Sequence, residues 1–212
     1  MRWAWTAALL ITASAAVAQT AGMDPSRALD QRTRLQDQVQ ALNAALLSHD
    51  SATAVLQAYC DRRSPGAGKI RARKGPVSDD LRLAAAARRL LGASPAEPMR
   101  HRRVELLCGE VVLSRADNWY LPNRLTQQMN TTLQTTERPF GVVVAPLGFR
   151  RRTLTVRALF EPLPAGWESE PELYETPVAI PSDILQHRAV LQAPDGRPFS
   201  YLVETYRASI LR

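Results

Sequence analysis

The spacing of apolar residues changes once along this 212-residue chain, close to residue 95. Before that point, apolar side chains recur every three or four residues, as in amphipathic helices. The predicted helices cover about residues 30–47, 52–59 and 79–91. After Met99 the pattern alternates with a period of two, as in strands that are half buried in a sheet. Helices followed by strands with short connections predict the α+β class and a mostly antiparallel sheet.

Six segments after Met99 carry the strand pattern, and one further helix is predicted among them at about residues 124–133. The predicted strands are 101–108, 110–117, 141–144, 153–160, 187–192 and 200–206. Two segments lack either pattern. Residues 61–75 are predicted to form a loop, and the proline-rich, acidic residues 162–181 are predicted to form a surface excursion.

The first eighteen residues have the composition of a secretory signal peptide. Arg2 precedes an apolar run over residues 7–17, and residues 16–18 read Ala-Val-Ala, the small-x-small pattern of a cleavage site. The apolar run is shorter than the ~20 residues of a membrane span. We therefore predict cleavage after Ala18, a flexible segment at 19–27, a single domain at 28–212, and a periplasmic or secreted product. The alternatives are an uncleaved anchor or a wrongly assigned translation start.

The 27 basic residues exceed the 20 acidic ones, which gives a formal net charge of +7. The basic residues are scattered, and the densest run, residues 69–74, contains no aromatic side chain on which a base could stack. We therefore interpret this run as a solvated loop and expect no nucleic-acid partner. We also expect a monomer with no stable membrane insertion after cleavage.

The chain has two cysteines and three histidines. In an oxidising compartment Cys60 and Cys108 could form a disulfide. A buried free thiol at Cys108, which ends an apolar strand, is equally compatible with the sequence. The histidines are isolated and lack the spacing of metal ligands, so no metal site is expected.

Two hairpin-like segments each place an ionisable residue within a run of strand-forming residues. Arg103 lies in the first, and Glu204 lies in the second, where Leu202 and Tyr206 flank it on one strand face. A buried charge needs a partner, which a charged small ligand or a structural ion pair between these two residues would supply. Burial also favours the neutral form of a carboxyl group, which could then act as a general acid.

Several motifs, taken in order, resemble those of the chorismate lyase family over nearly the whole mature chain. They are Leu46–Thr53 with the helix continuing to Cys60, Arg103–Cys108, Ala116–Pro122 with Leu125, Pro139–Gly141, Arg152, His187–Arg188, Gly196–Pro198 and Val203–Glu204. The resemblance implies a six-stranded antiparallel sheet with helices on one side and a buried pocket closed by helical flaps. It also implies the conversion of chorismate to 4-hydroxybenzoate and pyruvate without a cofactor.

The resemblance also implies roles for individual residues. Arg103 would bind a substrate carboxylate and take part in catalysis, and Glu204 would act at the ether or the ring hydroxyl. The resemblance places four further residues at the substrate: Phe140, Ala52 through its backbone, Arg152 and Arg188. For Phe140, a plain core position is the alternative.

A predicted signal peptide disagrees with a substrate that is made in the cytoplasm. The alternative function is therefore a non-catalytic protein of the same fold that binds an aromatic carboxylate. The fold also serves as an effector-binding domain in certain bacterial transcription regulators. Residues Gly196–Arg207 of this chain resemble the closing hairpin of those domains. No helix-turn-helix motif precedes it in this chain, so a regulator is not expected.

Overall fold

The computed structural model describes residues 25–77, 80–171, 173 and 176–211. The predicted signal peptide and Asp79, at which the third helix is predicted to begin, lie outside the described residues. Within the described part of the chain, no helix is both long enough and apolar enough to cross a membrane.

The helices and strands follow the predicted order, helices first and mainly strands afterwards. The helices are α1 (Pro25–Leu47), α2 (Ala52–Arg63), α3 (Leu81–Leu90), α4 (Gln127–Thr135) and α5 (Phe140–Val144). The strands are β1 (Arg71–Lys74), β2 (Arg100–Cys108), β3 (Val111–Tyr120), β4 (Arg150–Ala158), β5 (Asp183–Gln192) and β6 (Pro198–Arg207). The side chains of Ser51, Asp80 and Thr126 cap α2, α3 and α4 by accepting hydrogen bonds from free backbone N–H groups.

The six strands form one sheet in the order β1-β2-β3-β6-β5-β4, and every neighbouring pair is antiparallel. This confirms the predicted α+β class and the six-stranded antiparallel sheet. Helices α1, α2, α4 and α5 cover one face of the sheet, which we call the inner face. Helix α3 packs on the opposite face of the sheet, which we call the outer face, near one end of the strands.

Two segments have a different secondary structure from the predicted one. Residues 141–144, predicted as a strand, form most of α5, and residues 71–74, predicted as loop, form β1. A short apolar run does not distinguish a buried strand from a buried helix, and Phe140, Val143 and Val144 are buried here in helical form. Strand β1 lies at a sheet edge with Ala72 as its one buried residue, so it lacks the apolar alternation that predicts strands.

The inner face holds most of the core. Leu35, Val39, Leu42 and Leu46 form the buried stripe of α1 and belong to one cluster with Tyr206 of β6. Cys60 of α2 and Cys108 of β2 form a disulfide with their Cα atoms 5.6 Å apart. This crosslink resolves the two alternatives for the cysteines and fastens the second half of α2 to the sheet.

The segment 162–181 is held against α1 by one buried arginine. The guanidinium group of Arg32 donates hydrogen bonds to the carbonyl oxygens of Pro162, Leu173 and Thr176 at 2.7–3.2 Å. The side chain of Arg32 therefore connects α1 to several points along the predicted surface excursion.

Candidate functional site

A small chamber lies between the inner face of the sheet and the segments that cover it. Its sheet wall consists of Arg102, Val104, Leu106, Ala116, Asn118, Arg151, Leu191, Leu202 and Glu204. Its cover consists of Asp50, Ser51, Ala52, Thr53, Phe140, Gly141 and Phe149, from the turn before α2, the start of α2, the start of α5 and the start of β4. The chamber encloses about 40 Å³, which is room for a few water molecules.

The strand register places the polar residues of the chamber side by side. Asn118 of β3 is opposite Arg102 of β2, and Ala116 is opposite both Val104 and Glu204. Residues that are opposite each other in an antiparallel pair project from the same face, so these residues of β2, β3 and β6 belong to one surface. The small side chain of Ala116 leaves space between Arg102 and Glu204.

Glu204 forms a buried ion pair with Arg151. Its Oε2 lies 2.6 Å from Nη2 of Arg151, and the two side chains are 9% and 2% exposed. The hydroxyl of Tyr206 also donates to this oxygen at 3.3 Å. Burial raises the pKa of Tyr206 well above its usual value, and the negative charge of Glu204 adds to that increase. Tyr206 is therefore a hydrogen-bond donor throughout the physiological range.

Arg102 is a buried cation without a counter-ion. The residue is 8% exposed, and its Nη2 donates to the carbonyl oxygen of Arg138 at 3.2 Å. Among the described residues, no carboxylate forms an ion pair with it. Burial lowers the pKa of Arg102, because removal of water destabilises the charged form. The group remains cationic, because an arginine side chain keeps its proton in proteins.

Three buried donors of the chamber residues lack a partner within the described chain: Nε of Arg102, Nδ2 of Asn118 and Nε of Arg151. The other end of the Asn118 amide is satisfied, because Oδ1 accepts a hydrogen bond from the Ser200 hydroxyl at 2.6 Å. Buried polar atoms normally have partners, so a cluster of free donors indicates a site for acceptor oxygens. On the sheet wall, Arg102, Arg151 and Glu204 together carry a charge of +1, and the fourth charged residue of the lining, Asp50, lies in the cover and is exposed.

His187 of β5 lies opposite Glu204 and therefore projects from the same face of the sheet. It is fully buried, and its Nε2 is 2.9 Å from Oδ1 of Asn43 on α1. Burial and the positive charge of Arg151 lower the pKa of His187 to about 4. The ring is therefore neutral at neutral pH, and Nε2 carries its proton because Oδ1 only accepts.

The cover is closed by a close approach between α2 and α5. A Cβ atom at Gly141 would lie 3.2 Å from Oγ of Ser51 and 3.3 Å from Oγ1 of Thr53, so glycine permits this contact. Asp50, in the turn between α1 and α2, accepts a hydrogen bond from the backbone N–H of Arg151 at 2.8 Å. The start of α2 is thus tied to the strand that carries the buried ion pair.

A larger groove of about 820 Å³ lies on the other side of this cover. Five of its residues also line the chamber: Asp50, Ser51, Thr53, Gly141 and Phe149. The remaining surface comes from α2, β1, α5 and the turns beside them, and Ala54, Ile70, Val142 and Ala145 contribute apolar surface. The chamber and the groove are therefore separated only by the contact between α2 and α5.

The structure brings together three of the residues that the sequence placed at the site: Glu204, Phe140 and Ala52 all line the chamber. It does not bring Arg103, Arg152 or Arg188 there. Arg103 and Arg188 line a polar depression on the outer face, and Nε of Arg103 is 3.8 Å from Asp117. Arg152 is exposed and lies opposite Val190, a residue of the outer-face core.

In two arginine runs, the residue that lines the chamber is the neighbour of the predicted one. Arg102 and Arg151 line the chamber, whereas Arg103 and Arg152 lie on the outer face, because neighbouring residues of a strand point to opposite faces. The sequence contained a signal for Arg102, because Arg102 occupies the same alternate positions of β2 as the apolar residues Val104 and Leu106. It contained no such signal for Arg151, because a register shift between Thr153 and Thr155 interrupts the alternation of β4. Asn118 was also missed, and an amide within a strand carries no specific signal.

The chain was compared with family models, with curated proteins and with solved structures. No family model matches it. Among solved structures, it resembles PhnF from Mycobacterium smegmatis with a TM-score of 0.48 and 16% identity, covering 78% of this chain and 67% of that one. A GntR-family transcriptional regulator from Enterococcus faecalis gives a TM-score of 0.38 and 14% identity, covering 66% and 91%.

The chain spans 59% of the length of another solved protein that it resembles, YydK from Bacillus subtilis, with a TM-score of 0.40 and 14% identity over 66% of this chain. All these TM-scores are below 0.5, so the likenesses do not establish a shared function.

The comparison with curated proteins finds a much closer relative. The uncharacterized protein y4mC of Sinorhizobium fredii is 44% identical over 178 residues, which cover 82% of this chain and 75% of y4mC. Identity at this level over most of both chains establishes common descent and a common fold. The chain therefore belongs to the same protein family as y4mC of Sinorhizobium fredii.

Proposed function

We propose that the protein binds a small aromatic or pre-aromatic carboxylate in the chamber and that Arg102 is its anion-binding residue. The observation that carries the proposal is the buried guanidinium group of Arg102, which has no counter-ion among the described residues. A buried unpaired charge costs several kcal/mol, on the order of the stability of many domains. A ligand carboxylate removes that cost and accepts the strong, charge-assisted hydrogen bonds that arginine donates.

The apolar part of the chamber favours a ring over a purely polar ligand. Phe140, Leu191 and Leu202 supply apolar wall, and Phe149 supplies a further aromatic side chain. The free donors of Asn118 and Arg151 are available to oxygen atoms elsewhere on the ligand. Since the closed chamber holds only a few water molecules, binding requires the contact between α2 and α5 to open.

The test is calorimetric titration of the protein with 4-hydroxybenzoate. Arg102→Gln should weaken binding about tenfold or more, since hydrogen bonds to charged groups contribute about 1.5–3 kcal/mol. Arg103→Gln, one residue away on the outer face, is the matched control and should leave affinity unchanged. If only Arg103→Gln lost affinity, the assignment of Arg102 as the anion-binding residue would be contradicted. If the wild-type protein did not bind 4-hydroxybenzoate, the proposed function would be contradicted.

The position of Glu204 in the same chamber favours a second candidate, the chorismate lyase reaction that the motifs imply. The enolpyruvyl ether bond would break, the hydrogen on the ring carbon that carries the hydroxyl would leave as a proton, and pyruvate would depart after its enol carbon gains a proton. Arg102 would hold the ring carboxylate. The carboxylate of Glu204, paired with Arg151, would accept a proton or a hydrogen bond from the ring.

This second candidate is tested by incubation with chorismate and detection of 4-hydroxybenzoate and pyruvate. If the wild-type protein forms both products, Glu204→Gln should lower kcat while Arg103→Gln should not. If the wild-type protein binds 4-hydroxybenzoate but forms no product, the protein is a binding module and the lyase candidate fails.

We also propose that the protein is exported. The support is the signal-like composition of residues 1–18 together with the disulfide between Cys60 and Cys108, a crosslink that persists in oxidising compartments. Mass spectrometry of the native protein should find a mature form that begins at Gln19. A full-length form in the cytoplasmic fraction would reject export.

A further inference from the structure

The groove outside the cover has the size and surface of a ligand site. Its volume of about 820 Å³ is within the range of about 300–1,000 Å³ that is usual for such sites. Val142 lies on its α5 wall and is 41% exposed, although it is a large apolar residue. Ala54, Ile70, Ala145 and Phe149 extend the apolar surface. A concave and mostly apolar surface of this size is the usual form of a site for a small ligand.

The groove lacks what a separate polar ligand would need. Its charged side chains are those of Asp50, Lys69, Arg71, Glu137 and Arg138, and Arg71 forms ion pairs with Glu110 and Glu137. Among the described residues that line the groove, Thr53 alone is both polar and buried, and it belongs to the partition. The apolar interior therefore favours an occupant that is itself apolar over its length.

The chamber and the groove lie on either side of one partition and differ in their chemistry. Thr53 and Gly141 lie at the partition, and Phe149 lines both spaces. The chamber end carries a buried cation and free donors, whereas the groove end carries aliphatic surface. When the cover opens, as binding requires, the two spaces become continuous.

We infer that the ligand is elongated: an aromatic acid whose carboxylate binds Arg102 in the chamber and whose ring carries an apolar chain that lies in the groove. This inference rests on the proposed function, because it uses the same anion site. The apolar chain would pass between the start of α2 and Gly141. Burial of the chain would supply affinity, and Arg102 would determine which end enters first.

The test is a series of 4-alkylbenzoates from benzoate to the octyl compound, titrated below their micelle concentrations. In the wild-type protein, affinity should rise with chain length by up to about fourfold per buried methylene group and then level off when the groove is filled. Arg102→Gln should weaken every member of the series by a similar factor of about ten or more, since all share the carboxylate.

Two variants of exposed valines separate binding in the groove from unspecific adsorption. Val142→Asp should weaken the octyl compound at least tenfold while leaving benzoate unchanged, because the charge lies along the path of the chain only. Val111→Asp, at a comparably exposed valine that does not line the groove, is the control and should change neither ligand.

The outcomes separate this inference from the function on which it rests. If short acids bind through Arg102 and affinity does not increase with chain length, the inference fails and the proposed function stands. An octyl compound that binds equally well to Arg102→Gln would overturn the inference as well, because its acid would then lie elsewhere. If no member of the series binds, the proposed function fails.

Discussion

The two faces of the sheet carry the same kinds of charged residues in different surroundings. On the outer face, Arg103 is 3.8 Å from Asp117 and its side chain is 34% exposed, and Arg115 is 3.6 Å from the similarly exposed Asp183. On the inner face, the Arg151–Glu204 pair is almost completely buried, and Arg102 has no carboxylate partner among the described residues. Solvent stabilises the outer charges whether or not they pair, whereas an inner charge depends on its partner.

Two histidines show the same contrast. On the outer face, His101 stacks on Trp119 with ring centroids 4.2 Å apart and bonds to Asp117 at 2.9 Å. On the inner face, His187 is fully buried and is held neutral by burial and by Arg151. The comparison teaches that, in this sheet, an arginine or histidine has functional meaning only once its face is known.

The largest effect is expected from breaking the buried ion pair. Glu204→Gln keeps the shape of the side chain but leaves Arg151 as a second buried cation without a counter-ion, which should cost about 3–5 kcal/mol of unfolding free energy. Asp183→Asn on the outer face is the control and should cost about 1 kcal/mol or less, because solvent replaces the lost carboxylate. Urea unfolding measures both, and equal losses would refute the contrast between the faces.

The next effect concerns the layers that cover the two faces. Helix α2 on the inner face is crosslinked to β2 across 48 residues, and α3 on the outer face has no such link. Replacing both Cys60 and Cys108 by serine should cost about 2–4 kcal/mol. Hydrogen exchange should quicken in α2 more than in α3. Equal acceleration in the two helices would show that the crosslink acts only on global stability.

The pH dependence should come from the inner histidine. The pKa of His187 is about 4 in the folded protein, below the value of about 6.5 expected when the chain unfolds. Between these values the unfolded chain binds a proton that the folded protein does not. The contribution is therefore complete above pH 6.5, decreases as the pH falls toward 4, and amounts to about 3 kcal/mol.

Urea unfolding at pH 7 and pH 4.5 measures this change. His187→Gln should remove most of the difference, and His101→Gln, the outer-face control, should retain it. An unchanged difference in His187→Gln would assign the pH dependence to the carboxylates instead.

The smallest effect has the opposite sign. Arg102→Met removes a buried cation and inserts an apolar side chain of similar length, so the ligand-free protein should become more stable by about 1–2 kcal/mol while ligand binding is lost. Arg103→Met on the outer face should change stability by less than about 0.5 kcal/mol and keep binding. Thermal unfolding without and with 4-hydroxybenzoate would test this, and a destabilised Arg102→Met would argue that Arg102 has a structural role.

Much of the fold could be predicted from the period of the apolar residues. The amphipathic patterns of α1 and α2 and the alternation in β2, β3, β5 and β6 are visible within each segment's own sequence. The reason is that the side chains that an element buries recur with the period of that element. Two short elements could not be predicted in this way. Strand β1 has one buried residue and depends on β2 for its hydrogen bonds, and α5 takes helical form among apolar neighbours that would also accommodate a strand.

The site was predicted in part. The positions of Glu204, Phe140 and Ala52 follow from the order of the motifs, and all three line the chamber. Glu204 lies on β6, a strand with one buried side chain after another, which makes a carboxyl group there conspicuous. The pairing of Glu204 with Arg151 could not be predicted, because β4 and β6 are separated in the sheet by β5.

By itself, then, the sequence determined the types of the longer elements, the class of the fold and the presence of a buried carboxyl group. Only the tertiary structure decided which arginine of each run lies on the inner face, where the chamber also holds that carboxyl group. The reason is the two-residue period of a strand: a step of one residue, or one register shift, exchanges the faces of the sheet. Two neighbouring arginines have the same local sequence, but they differ in burial, in their ion-pair partners and in their access to a ligand.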